Sequence, residues 1–184
     1  MFEHVLVAVD GSSTSNRALA AALTLAREEK ATLHALHVVD QTTVALSLAG
    51  GYYVPPDYVD SLLAALREQG RRILSTVEAA ARRKGQVVQT ALVENFAGTV
   101  ADAILRHARK VHAEVIVVGT HGRRGVPRLL MGSNAEAVLR QATVPVLLVR
   151  ADARLARAPT ATPTKRVARR RSRVEIVRPS PPYP

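Results

Sequence analysis

Five short runs of aliphatic residues punctuate the first 150 positions, separated by stretches in which apolar residues recur at a different period. The runs are Val5–Val9, Ala31–Val39, Val87–Val93, Val115–Val118 and Val146–Val149. They are rich in β-branched residues and mostly continuous rather than alternating. Strands covered on both faces, as in a parallel sheet, have that pattern. Between the runs, apolar positions return every third or fourth residue. Ala18, Leu19, Ala22, Leu23 and Ala26 form such a stripe behind the N-cap candidates Ser12, Ser13, Thr14 and Ser15. Pro55-Pro56-Asp57 opens a longer helix with Val59, Leu62, Leu63, Leu66, Ile73, Leu74 and Val77 inward, and Gly85 stops it. Val100, Ala103, Ile104 and Ala108 mark a third helix. Ser133–Arg140, with Ala135, Val138 and Leu139, marks a fourth before Pro145 and the last strand.

Strand and helix thus alternate from end to end. This order predicts one doubly wound α/β domain over residues 1–150, a five-stranded parallel sheet with helices on both faces. Gln41–Pro56, with Gly50-Gly51-Tyr52-Tyr53, exceeds the usual length of such connections and reads as a mobile flap. From Ala151 the periodicity dissolves into six prolines and the run Lys165–Arg173, so residues 151–184 are expected to be a disordered, basic, Pro/Arg-rich tail. Within it Val174–Val177 has strand character, which nothing else in the tail demands.

Composition narrows the reading. Aromatic residues are 3% of the chain against 47% hydrophobic, so the core is built from Val, Leu, Ile and Ala. The absence of cysteine excludes disulfides and thiolate metal sites. The opening MFEHVLVAVDG lacks a basic segment, carries Glu3 and breaks after five apolar residues, unlike a signal peptide. No apolar run approaches the roughly 20 residues of a membrane span, and a cytoplasmic location is expected. The net charge of +11 is uneven: residues 151–184 carry nine Lys/Arg against two Asp/Glu, a net +7, while residues 1–150 carry 17 against 13, a net +4. The tail therefore suits a polyanion such as nucleic acid through Lys165–Arg173, in salt-sensitive and weakly sequence-specific binding. A merely solubilising tail fits the same charge.

The chemistry concentrates in residues 119–134, GTHGRRGVPRLLMGSN, directly after the fourth strand. Gly119 and Gly122 lack Cβ atoms, so backbone N–H groups there can approach an anion. Arg123, Arg124 and Arg128 supply positive charge. Gly132-Ser133-Asn134 opens a helix whose free N–H groups and dipole favour a phosphate. Asp10-Gly11-Ser12, after the first strand, is the second segment with such chemistry. If the first and fourth strands are neighbours, both segments line one crevice at the carboxyl ends of the sheet. Glycines and an N-cap serine can also serve turn geometry alone, and the spacing matches neither a Walker loop nor a dinucleotide fingerprint.

The spacing Gly119, two residues, Gly122, nine residues, Gly132-Ser133 resembles the G-2x-G-9x-G-[S/T] pattern of the ATP-binding branch of the universal stress protein family. VLVAVDGS at the start, HVVD after the second strand and VPVLLVR at the end resemble that family too, so the likeness covers residues 1–150. It implies a Rossmann-like sheet of the adenine nucleotide alpha hydrolase type, in strand order 3-2-1-4-5, and a homodimer paired through Val146–Val149. It also implies ATP in the crevice, with or without Mg2+. Asp10, Gly11 and Ser12 would lie at the adenosine end, and Val39 would meet adenine through its backbone. Gly119, Gly122, Gly132, Ser133 and Asn134 would surround ribose and phosphates. Thr120 and His121 belong to the same candidate segment, His121 as a phosphate contact or a solvent-facing side chain, and Arg123 and Arg124, more basic than the motif requires, are phosphate clamps or solvated loop residues. Residues 151–184 have no counterpart in the family's minimal domain.

His34 and His37 lie three apart on a strand, hence on opposite faces, and cannot share a metal. No nucleophile, base and orienting group stand out by spacing, so neither a catalytic nor a metal site is assigned. The expected role is a nucleotide-responsive stress-response module with little or no hydrolysis. A slow ATPase or phosphoryl-transfer enzyme is the first alternative, and a protein working through its polyanion-binding tail the second.

Overall fold

The chain is described by a computed structural model that covers residues 1–42, 44, 55–120 and 131–150, together with the backbone of 176–177. Its strands are β1 (His4–Ala8), β2 (Thr32–Asp40), β3 (Val88–Asn95), β4 (Val115–Gly119), β5 (Val146–Val149) and β6 (Ile176–Val177). Its helices are α1 (Ser13–Glu29), α2 (Pro56–Arg83), α3 (Val100–Lys110) and α4 (Ser133–Gln141). The sheet order is β3-β2-β1-β4-β5-β6, parallel from β3 to β5. The order 3-2-1-4-5 is therefore present, extended by a short antiparallel strand that the tail lays on the outer edge of β5.

The continuous apolar runs are strands because each side chain, whichever way it points, meets a helix. Val5 and Val7 face α1 and α2, Leu6 faces α3 and α4, and all three are 0% exposed. Alanines on the buried stripes, such as Ala18, Ala22 and Ala26 of α1, keep the helix close to the sheet. Burying the Val, Leu and Ile side chains contributes about 1.5–3 kcal/mol each and dominates the stability of a core this poor in aromatics.

The helix ends follow local chemistry. Ser12 caps α1 by accepting the Ser15 N–H at 3.1 Å. Thr99 and Asp102 form a capping box on α3, in which the Thr99 oxygen accepts the Asp102 N–H at 3.1 Å and the Asp102 carboxylate accepts the Thr99 N–H at 2.8 Å. Gly85 lets the chain leave α2 at φ +66°, a left-handed conformation that glycine adopts without strain. Most of the 41–56 connection expected to form a flap lies outside the described residues, as does the tail apart from β6.

Candidate functional site at the carboxyl ends of β1 and β4

β1 and β4 are neighbours, with Val5 opposite Val115, Leu6 opposite Ile116 and Val7 opposite Val117. From β1 the chain crosses to α1 on one face, and from β4 it goes on to α4 on the other. Connections that part in this way leave a crevice between them, the position where open α/β sheets take ligands. The neighbourhood expected of the Asp10 and Gly119 segments is therefore real.

Each wall has its own geometry. On the β1 side, Gly11 turns the chain at φ +81°, and the Asp10 Oδ1 accepts the Ser12 N–H at 2.9 Å. The Asp10 N–H in turn donates to the Ser15 hydroxyl at 3.0 Å. Oxygens of Asp10, Ser12 and Ser15 are thus taken up in closing the first turn of α1. On the β4 side, Thr120 is 2% exposed, donates its N–H to Val149 at 2.9 Å and accepts the Gly132 N–H at 2.6 Å. This places Gly132, the N-cap of α4, beside the end of β4. The cap has no side-chain hydrogen bond, and Ser133 and Asn134 follow it at the surface. The first-turn N–H groups of α4 have no acceptor in their own helix. The N-terminus of α1 is closed by its own side chains, whereas that of α4 has no side-chain cap among the described residues.

Gly119 also has a packing role. A Cβ there would sit 2.9 Å from Thr14 Cγ2, 3.1 Å from the Thr14 carbonyl carbon and 3.2 Å from the Ser15 N. The missing side chain lets the first turn of α1 press directly against the end of β4. Gly11 is similarly tight, its Cβ position lying 3.2 Å from Ile73 Cγ1 of α2.

The β2 side carries features that the one-dimensional pattern hides. The Val9 N–H donates to Leu36 at 2.8 Å, so the backbone of Leu36 faces β1. The Gln41 N–H donates to Asn95 at 3.0 Å, so the odd-numbered residues of β2 face β3. By strand alternation Val39 turns its amide and carbonyl toward β3, while Val38 turns its own toward the side that β1 has vacated. The backbone that faces the crevice is therefore that of Val38, not of Val39, where the family resemblance expects a backbone contact. His37 is buried and donates its Nδ1–H to the Val9 carbonyl at 2.7 Å, which fixes the chain just before Asp10. Gly70 of α2 makes room for that ring, since a Cβ would meet His37 Cδ2 at 2.8 Å. Farther out, Arg67 holds Glu94 through two bonds of 2.8 and 2.9 Å, and Gln41 Nε2 donates to the same carboxylate at 2.7 Å. Those bonds, Arg67 first and Gln41 second, hold the Glu94 carboxyl below the usual range.

A model of the universal stress protein family matches residues 1–150. The chain belongs to the universal stress protein family. It is 38% identical to universal stress protein YxiE of Bacillus subtilis, across 82% of this chain and 100% of that one. A family structure from Burkholderia pseudomallei superposes with a TM-score of 0.63 at 37% identity, covering 81% of this chain and 96% of that chain. An Archaeoglobus fulgidus universal stress protein, solved in complex with dAMP, superposes at 0.55 with 23% identity over 80% and 97% of the two chains. The last is a likeness of fold.

Within this universal stress protein the described crevice thus gathers Asp10, Gly11, Ser12, Gly119, Thr120, Gly132, Ser133 and Asn134. His121, Gly122, Arg123 and Arg124 lie outside the described residues. Val38, His37 and Gly70 are invisible in the linear pattern because only register reveals them: Val38 needs the parity of a ladder, and the other two need a contact between β2 and α2.

Proposed function

We propose that the crevice binds an adenine nucleotide, ATP by the family's glycine pattern, in a dimeric regulatory module with little or no hydrolysis. The observation that carries this is the switch point between β1 and β4, with the uncapped N-terminus of α4 at its mouth. The Val38 N–H and C=O present one donor and one acceptor side by side, complementary to the N1 and N6 edge of adenine. Asp10 stands at the ribose end. The amides of Ser133 and Asn134, with the dipole of α4, supply an anion site for phosphates. The glycine pattern adds His121, Gly122, Arg123 and Arg124 to the phosphate end, with Mg2+ as the counterion ATP usually brings. The dAMP complex of the Archaeoglobus relative supports an adenine nucleotide in this fold.

Low turnover agrees with the use made of nearby carboxylates. Asp10 Oδ1 takes the Ser12 N–H at 2.9 Å, and Asp40 Oδ1 takes the Thr42 N–H at 3.1 Å and the Thr42 hydroxyl at 2.6 Å. Both serve as turn formers rather than as bases aimed at a water. The test is to denature the purified protein, identify released nucleotide by mass spectrometry, and titrate ATP in a thermal melt. At 100 times its dissociation constant a ligand stabilises by about 2.7 kcal/mol, a rise of roughly 5–10 °C for a chain of this size. Absence of both released nucleotide and a melting shift at millimolar ATP would refute the assignment. Phosphate release abolished by Gly122→Val in a folded protein would favour the slow-ATPase reading.

A further inference from the structure

The outer edge of β5 is the surface through which the family resemblance expects a second copy to pair. On it lies a piece of the chain's own tail. β6 runs antiparallel to β5, with Val146 opposite Val177 and Leu147 opposite Ile176. One strand edge offers its N–H and C=O groups to one partner at a time, so β6 and a second copy exclude each other at Val146 and Leu147. We propose that the tail strand is an intramolecular competitor for self-association, and that its release opens the edge of β5 to a second copy. This rests on the reading that the chain dimerises through that edge.

Sequence and topology both favour the competition. In a tail dominated by Lys, Arg and Pro, Val174–Val177 is the stretch with β-branched, strand-forming residues, and it supplies the pairing residues. Arg173 precedes it, and Arg178 and Pro179 follow it directly. Charge and proline around a short strand are the means by which proteins keep an edge from templating further addition. The sheet's terminal edge thereby changes from four apolar residues to two residues flanked by charge. The tether suits the purpose as well. The 25 residues between Arg150 and Ile176 exceed what a turn back onto the adjacent edge requires, and a tether of that length holds the tail strand at about millimolar effective concentration. A second copy at micromolar concentration must displace that strand on both partners. Were the edge covered for about two-thirds of the time, the free third on each copy would raise the apparent dimer dissociation constant about ninefold, since the effect goes as the inverse square of the free fraction.

The absence of native cysteine permits a direct test on the full chain. Val146→Cys with Val177→Cys places two thiols at directly opposed positions, where Cα atoms stand about 4.5–5.5 Å apart, within disulfide reach. Oxidation should give an intrachain cross-link and a monomer in sedimentation equilibrium, and reduction should restore the parent's association. Ile176→Pro, which disables the tail strand without touching β5, should tighten the dimer about tenfold. A dissociation constant within twofold of the parent's, with both forms dimeric, would overturn the competition while leaving the dimer standing. A cross-link chiefly between chains would overturn the intramolecular assignment. If neither parent nor Ile176→Pro associates at 100-fold the working concentration, the dimer reading itself fails, and the proposal with it.

Discussion

Gly119→Ala separates two reasons for the glycine at the end of β4. If Gly119 serves a ligand alone, the substitution leaves the ligand-free protein intact. If it serves packing, the added methyl meets Thr14 Cγ2 at 2.9 Å and backbone atoms of Thr14 and Ser15 at 3.1 and 3.2 Å. The side-chain atom can yield, but the backbone of a capped first turn, with Ser15 N tied to Ser12 at 3.1 Å, cannot move without opening the cap. Overpacking of this kind costs about 1–3 kcal/mol. Relief of glycine's entropy within a strand returns about 0.5–1 kcal/mol. The expected net loss is therefore centred on about 1 kcal/mol, or roughly 2–4 °C in melting temperature. Urea unfolding of nucleotide-free protein measures it. Gly85→Ala, with open space around it and φ +66°, is the control for backbone conformation and should lose about 1–2 kcal/mol through the left-handed angle alone. Trimming the obstacle in Thr14→Ser/Gly119→Ala should recover part of the loss, a coupling of about 0.5–1 kcal/mol between touching residues. A Gly119→Ala midpoint equal to the parent's, or no recovery in the double variant, would refute the packing role.

Other outcomes follow from the same geometry. His34 and His107 both have lowered pKa values, chiefly through burial, with His4 adding for His34 and Lys110 for His107. The unfolded chain takes up protons near pH 6.5 while the folded one resists, so stability should fall as pH drops from about 6.5 through the lowered folded values. Urea midpoints that stay level between pH 7.5 and 5.5 would contradict this, and His34→Asn should flatten the slope. Arg67→Met removes both bonds to Glu94, whose carboxyl should move back up toward its ordinary range in an NMR titration; an unmoved value would mean that Arg67 is not its partner in solution. Ending the chain at Arg150 should abolish salt-sensitive binding to DNA or RNA and leave the ATP-induced melting shift in place. Binding that survives the deletion would remove Lys165–Arg173 as its cause.

The sheet was legible because burial on both faces writes itself into composition. Val5, Leu6 and Val7 alternate between two helix layers yet are all apolar, and an unbroken β-branched run between turn residues is the mark of a strand covered twice. Helix starts were legible at Ser12 and Pro56 for equally local reasons, a hydroxyl cap and a proline in the first turn. β6 was at the limit of legibility. Val174–Val177 shows strand character, but its pairing depends on an exposed edge some 30 residues earlier, and a window along the chain cannot evaluate that edge.

The site was legible in chemistry and only partly in geometry. Glycine spacing points to an anion, but the reason for an individual glycine depends on what its missing Cβ would touch. For Gly119 that neighbour is α1, about 100 residues away in sequence. The same holds for His37, a buried histidine that reads as unremarkable core until its 2.7 Å bond to the Val9 carbonyl and the cleared space at Gly70 are seen together. These three contacts make one mechanical unit: α2 packs on His37, His37 holds Val9, and Val9 leads into Asp10 and the first turn of α1, against which Gly119 rests. A perturbation at Gly70 should therefore reach the crevice without touching it. Alanine in the middle of an exposed helix normally gains about 1 kcal/mol over glycine. In Gly70→Ala the new methyl meets Leu92 Cδ1 at 2.4 Å and His37 Cδ2 at 2.8 Å, so the sign should reverse. The displaced ring would also loosen Val9, and ATP affinity should fall along with stability. A Gly70→Ala protein that is more stable than the parent and binds ATP equally well would show that α2 and the crevice are mechanically independent.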